Sequence, residues 1–132
     1  MKLKESPVIL LVDDDPFIRM AAGELLTSLG AVVLEAGNAD EALRILKLHP
    51  NIQLVFSDVN MPGTMNGLTM LERVHELRPA VELILTSGRG EYAFSKLPDH
   101  GTFLPKPYNA FKLCELVTNK LADPTVEPEG KP

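Results

Sequence analysis

Three consecutive carboxylates, Asp13-Asp14-Asp15, directly follow the apolar run Val8–Val12, and a fourth, Asp58, ends the run that begins at Ile52. Thr86-Ser87 closes a third apolar run, and Pro105-Lys106-Pro107 follows a fourth at Thr102–Leu104. Carboxylates drawn together repel one another and raise each other's pKa unless a cation neutralises them. Magnesium meets that demand: it takes octahedral oxygen ligands from one or two carboxylates, waters and a phosphate, and Asp13, Asp14 and Asp58 can supply such oxygens together with a backbone carbonyl. No stretch carries the spaced ligands of an EF-hand loop, so calcium fits less well.

A carboxylate at the end of a buried strand is costly unless it is coordinated or does chemistry. Asp58 beside magnesium could attack a phosphoryl group, with the metal and a lysine neutralising the charge of the transition state. Lys106, whose flanking prolines restrict the local backbone, is the candidate lysine, and Ser87 offers a hydroxyl to a phosphoryl oxygen. Each residue also has a simpler reading. Acids at a helix start favour the macrodipole, aspartate and Ser-Gly are common in turns, and a loop lysine is ordinarily just solvated. The weight rests on their combination and order.

The elements that must position these residues follow from the hydrophobic pattern. Val8–Val12 is a continuous β-branched and leucine run, as expected of a strand covered on both faces. Pro16 then opens a helical pattern (Phe17, Ile18, Ala21, Ala22, Leu25, Leu26, Leu29) that Gly30 stops. Strand and helix alternate onward: a strand over 31–35, a helix capped by Asn38 with the apolar face Ala39, Ala42, Leu43 and Leu46, a strand over 52–57, a helix over 66–77 and a strand over 81–86. From Gly88 to Gly101 glycines and a proline interrupt the pattern, which predicts a short or irregular fourth helix around Glu91–Lys96. A fifth strand over 102–104 precedes a final helix with Phe111, Leu113, Cys114, Leu116, Val117 and Leu121. The expected unit is one domain over 6–122, followed by a disordered tail over 123–132 rich in proline. Five βα units imply an α/β fold, a parallel sheet with helices on both faces and right-handed crossovers, whose ligands bind beyond the carboxyl ends of the strands. All four polar clusters stand at those ends.

Composition narrows the function classes. The 132 residues carry 13 Lys+Arg and 18 Asp+Glu, a formal net charge of −5, which offers no general attraction to nucleic acid or an anionic membrane. With 45% hydrophobic and 23% charged residues the chain resembles an average globular domain. The single cysteine, Cys114, can form no internal disulfide and belongs to no zinc-binding pattern, which fits a reducing, cytoplasmic setting. No apolar run has the length of a signal peptide or a membrane span.

The stretches Val8-Ile9-Leu10-Leu11-Val12-Asp13-Asp14-Asp15-Pro16, Ser57-Asp58-Val59-Asn60-Met61-Pro62-Gly63, Leu85-Thr86-Ser87-Gly88 and Phe103-Leu104-Pro105-Lys106-Pro107-Tyr108 resemble, in that order, the response-regulator receiver family of two-component signalling. The resemblance runs from about Val8 to Leu121. It implies a flavodoxin-like doubly wound five-stranded sheet in the order 2-1-3-4-5. It also implies that Asp13 and Asp14 hold Mg2+ with Asp58, that Asn60 lends a backbone carbonyl, that Asp58 accepts a phosphoryl group and that Lys106 contacts it. Ser87, with Thr86 as fallback, takes the place of the family's hydroxyl residue, and Phe103 that of its switch aromatic. Asn60 and Arg89 are the candidates for tuning dephosphorylation. The implied donor is a histidine kinase or histidine phosphotransfer protein, and the receiver catalyses only its own phosphorylation and dephosphorylation. It would act as a monomer or weak homodimer, either as a single-domain regulator or as a receiver excised from a larger protein. The loop at Gly63-Thr64-Met65-Asn66-Gly67 is one residue longer than is usual in the family, and the altered fourth helix bears on the output surface.

Three other readings compete. A magnesium-dependent phosphohydrolase would use Asp13 as nucleophile and Asp15 as acid/base, but Ser87-Gly88-Arg89 stands where further carboxylates are wanted. A flavodoxin-like binder of a phosphorylated cofactor shares the fold class, yet Asp13–Asp15 would repel its phosphates. An interaction-only receiver that is never phosphorylated is the third.

Overall fold

Burial on both faces governs the three central strands, and the structure, a computed structural model that describes residues 3, 5–63, 65–88 and 97–122, shows how it is achieved. β1 (Val8–Val12) is buried at every position. β3 (Ile52–Asp58) and β4 (Glu82–Ser87) are buried throughout except at Gln53 and Glu82. β2 (Val32–Ala36) and β5 (Gly101–Pro105) carry the exposed and half-exposed residues expected of edges. All five strands are parallel, in the order β2-β1-β3-β4-β5. The expected order is therefore the observed one.

Period-2 alternation sorts the strand residues between two cores. Leu10, Val12, Val55, Leu83 and Leu85 face α2 (Ala39–Leu48) and α3 (Gly67–Leu77), packing with Ala42, Leu46, Met70 and Val74. Ile9, Leu11, Leu54, Phe56 and Ile84 face α1 (Pro16–Ser28) and α4 (Ala110–Lys120), packing with Ala22, Leu26, Leu113 and Val117. The four helices among the described residues begin on side-chain caps: Asp15, Asn38, Asn66 and Asn109 each accept backbone N–H bonds from the first turn. At the opposite end of the sheet from the polar clusters, Lys120 of α4 reaches Glu82 Oε1 at 3.2 Å and the His100 carbonyl at 2.7 Å.

Several boundaries move by a residue. The second strand begins at Val32, because the Ala31 N–H bonds back to Leu26, and the third helix begins after Asn66, which caps it. Gly30 does end the first helix, with φ of +99°, a conformation that costs glycine little. Phe17 and Phe111, counted by spacing among the apolar faces of the first and last helices, are 76% and 62% exposed. At about 100° per residue Phe17 lies well off the stripe of Ala22 and Leu26, and Phe111 off that of Leu113 and Val117, so neither can reach the sheet. The expected fourth helix at Glu91–Lys96, Arg89 and the tail over 123–132 lie outside the described residues. Among the described residues no helix is long and apolar enough to cross a membrane.

Leu54, fully buried in the central strand β3, tests this packing. Leu54→Ala is expected to lower the unfolding free energy by about 3 kcal/mol, measured by urea denaturation.

Candidate functional site

β1 and β3 are neighbours, and their ends bring Asp13, Asp14 and Asp58 together, with one carboxylate oxygen from each residue within 4.8 Å of the others. Asp13 and Asp58 are buried and Asp14 is exposed, so the cluster opens to solvent on one side. Lys106, just after β5, places Nζ 2.8 Å from Asp58 Oδ2, while the Asn60 N–H donates to Asp58 Oδ1 at 3.0 Å. Both oxygens of Asp58 are thus oriented from outside its own strand. The Lys106–Pro107 peptide bond is cis.

Two of the three carboxylates that follow β1, Asp13 and Asp15, have different duties. Asp13 Oδ1 accepts the Asp15 N–H at 2.9 Å, which folds its side chain over the strand end. Asp15 Oδ1 instead accepts from Phe17 N at 2.9 Å and Ile18 N at 3.3 Å, so this carboxylate is occupied in capping α1. Asp15 thus serves the helix start, as an N-cap hydrogen-bond acceptor rather than as a first-turn acid set against the macrodipole.

Burial pushes the Asp13 carboxyl above the usual carboxylate range. The Asp15 N–H and Lys106 oppose this, and Asp58 and Asp14 add to it. Tyr108 feels the same field: its phenol is raised by burial first and then by the charges of Asp13 and Asp58. Its ring meets Phe56 edge-on, with centroids 5.9 Å apart. Such an acidic cluster, with a low-dielectric wall and an open side, fits a hard divalent cation better than any neutral ligand.

Apart from Arg89, which lies outside the described residues, the remaining predicted residues sit around this centre. Thr86 pairs with Asp58 in the β3–β4 register, and its Oγ1 donates to the Leu104 carbonyl at 2.7 Å. Ser87, the next residue, is buried, and its carbonyl accepts the Lys106 N–H at 3.0 Å. Phe103, paired with Leu85, is half-buried against the α2–α3 core. Asn60 is exposed at the mouth.

Three contributors escaped sequence reasoning. Tyr108 lies in a recognised stretch but has no role legible from its type, and Arg19 reads as an ordinary helix-surface arginine. Gly67 had a clearer signal, a glycine at the first position of a helix. A Cβ there would stand 2.1 Å from the Asp58 carbonyl oxygen and 2.9 Å from Ser57 Oγ, so only glycine lets α3 start against the backbone that carries Asp58.

Gly67→Ala is therefore expected to cost about 2 kcal/mol or more in urea denaturation, whereas Gly88→Ala, with nothing within 4 Å of the added carbon, changes stability by less than about 0.5 kcal/mol. The raised Asp13 pKa has its own signature. The fold binds a proton there more readily than the unfolded chain does, so stability falls as pH rises from the unfolded value of 3.8 through the folded one, and the cost is complete at neutral pH. Asp13→Asn, measured without divalent cations, should raise the melting temperature by a few degrees at pH 7, with a gain that vanishes toward pH 3.5.

Residues 9–118 match the family described as the response regulator receiver domain. The chain is 37% identical over 123 residues to the sensor kinase CckA of Brucella abortus (strain 2308), covering 90% of this chain but only 13% of the kinase's length. It is 31% identical to the chemotaxis protein CheY of Bacillus subtilis (strain 168), covering 86% of this chain and 96% of CheY. Among solved structures it is similar to the response regulator TrrA of Thermotoga maritima in complex with Mg(2+)-BeF. The TM-score is 0.80 at 29% identity, with 87% of this chain and 99% of that one covered. Sheet order, the acid cluster at the strand ends and the match over nearly the whole described core agree, and the chain belongs to the response regulator receiver domain family.

Proposed function

We propose that Asp58 is the phosphoacceptor of a phosphorelay, taking a phosphoryl group from a histidine kinase or histidine phosphotransfer protein, and that the unit over 6–122 answers by changing its partner binding. The observation that carries this reading is the buried Asp58 carboxylate, held by Lys106 at 2.8 Å beside the oxygens of Asp13 and Asp14. An oxygen of Asp58 attacks phosphorus, and a P–O bond forms as the P–N bond to the donor imidazole breaks and its electron pair stays on nitrogen. Mg2+, held by Asp13, Asp14, Asp58 and the Asn60 carbonyl, would neutralise the phosphoryl oxygens as charge builds. The TrrA complex with Mg(2+)-BeF supports magnesium as the ion.

Lys106 neutralises the nucleophile at rest and, after transfer, the phosphoryl oxygens. The Asn60 N–H on Oδ1 keeps the carboxylate from rotating. Ser87, buried at the end of β4 with its carbonyl on the Lys106 N–H, is the hydroxyl residue assigned to move to the phosphoryl oxygen, with Thr86 as fallback. Phe103, on the adjacent strand and paired with Leu85, would follow that movement by packing alone, having no phenol hydroxyl. Hydrolysis of the acyl phosphate resets the site, with Asn60 and Arg89 tuning its rate. The capping role of the Asp15 carboxylate weighs against a phosphohydrolase that would need it as acid/base.

Intact-mass spectrometry after incubation with acetyl phosphate and magnesium tests the proposal. The wild type should gain one phosphoryl group and Asp58→Asn none; full labelling of the mutant would overturn the assignment. A wild type labelled by neither acetyl phosphate nor purified donor kinases would leave the interaction-only reading in its place.

A further inference from the structure

We infer that Arg19 is a positioning residue for the divalent-cation site: its guanidinium bridges the Asp13 carbonyl and the Glu35 carboxylate and thereby orients the peptide that carries Asp14. This rests on the proposed use of Asp13 and Asp14 as cation ligands.

Arg19 stands in the first turns of α1, where its own N–H bonds to the Asp15 carbonyl at 2.9 Å. Its side chain turns back across the strand ends. Nη1 donates to the Asp13 carbonyl at 2.7 Å and Nε to Glu35 Oε1 at 2.9 Å, so one planar fork joins β1, α1 and β2. Gly37 borders the same space, since a Cβ there would lie 3.4 Å from Nη1.

The consequence for the site comes from peptide planarity. Fixing the Asp13 oxygen fixes the plane of the Asp13–Asp14 peptide and with it the direction in which Asp14 leaves the chain. Asp13 is already held by the ladder bond from its N–H to the Ala36 carbonyl at 3.1 Å and by the Asp15 N–H on its carboxylate. Asp14 is exposed, so its placement depends on this backbone. A lysine cannot replace the fork, because one ammonium lacks two donors in a fixed plane.

Isothermal titration of Mg2+ into cation-free protein tests the role. Arg19→Met, which keeps the apolar stem and removes both donors, should weaken Mg2+ binding about ten-fold, with Arg19→Lys intermediate. Glu35→Ala, at an exposed position that leaves folding intact, should weaken it about three-fold, and Glu35→Gln, which keeps the acceptor, less than two-fold. For Arg19→Met the sign is diagnostic, since loss of a positive charge alone would tighten binding of a dication, so weakening reports geometry. At Glu35 the alanine and glutamine variants lose the same charge, so the difference between them reports the lost acceptor. The acetyl phosphate reaction should recover its wild-type rate at saturating Mg2+ with only the half-saturating concentration shifted. Folded Arg19→Met and Glu35→Ala with wild-type Mg2+ affinity, even if melting lower, would overturn the inference and leave the proposed function standing. A wild type that binds no Mg2+ would overturn both.

Discussion

The repulsion among Asp13, Asp14 and Asp58 is the constraint on which the rest of this molecule depends. With one oxygen of each within 4.8 Å of the others, like charges near a protein surface oppose one another by about 3 kcal/mol or more per pair, and burial of two of them adds a desolvation cost. Lys106 pairs with Asp58 at 2.8 Å, while the Asp13 carboxyl stays raised, by burial first and by the charges of Asp58 and Asp14 after it. A flexible chain would separate these groups. Here they stay together because each is attached to a strand end that cannot move.

The immobility has identifiable sources. β1 and β3 lie side by side at the centre of the sheet, with Ile9, Leu10, Leu54 and Val55 fully buried between two helix layers. At the ends, where the ladder stops, local bonds take over: Val59 N–H to the Thr86 carbonyl at 3.0 Å, Lys106 N–H to the Ser87 carbonyl at 3.0 Å and Ser57 Oγ to the Asp58 carbonyl at 2.9 Å. Gly67 lets α3 close against the same backbone. The site is therefore the free edge of a rigid layer, the arrangement in which preorganised groups act on a charged ligand without paying for their own ordering.

Much of this was legible from residue order. The continuous apolar run of Val8–Val12, followed at once by acids, identifies a doubly covered strand pointing at a polar edge, and Asp58 after Ile52–Ser57 repeats the statement. Asn38 announces a helix start through its capping chemistry. Less legible were residues whose meaning depends on what lies across from them. Phe17 and Phe111 satisfy a helical spacing but miss the stripe that meets the sheet, and Asp15 looks like Asp13 and Asp14 until its carboxylate is found on the Phe17 and Ile18 amides. Tyr108 and Arg19 gain their roles only from neighbours distant in the chain.

By itself, then, the sequence determined the alternation of strands and helices, the parallel architecture it requires and the types of group standing at the strand ends. These follow from local periodicity and turn chemistry, which act over a few residues. Tertiary structure alone decided the distances, which put oxygens of Asp13, Asp14 and Asp58 within 4.8 Å of one another and Lys106 Nζ 2.8 Å from Asp58 across 48 residues of chain, and it alone showed that Arg19 ties two strands to a helix. Distances between carboxylates, lysine and arginine are set by strand order and register, and those are chosen by the packing of two cores against a single sheet.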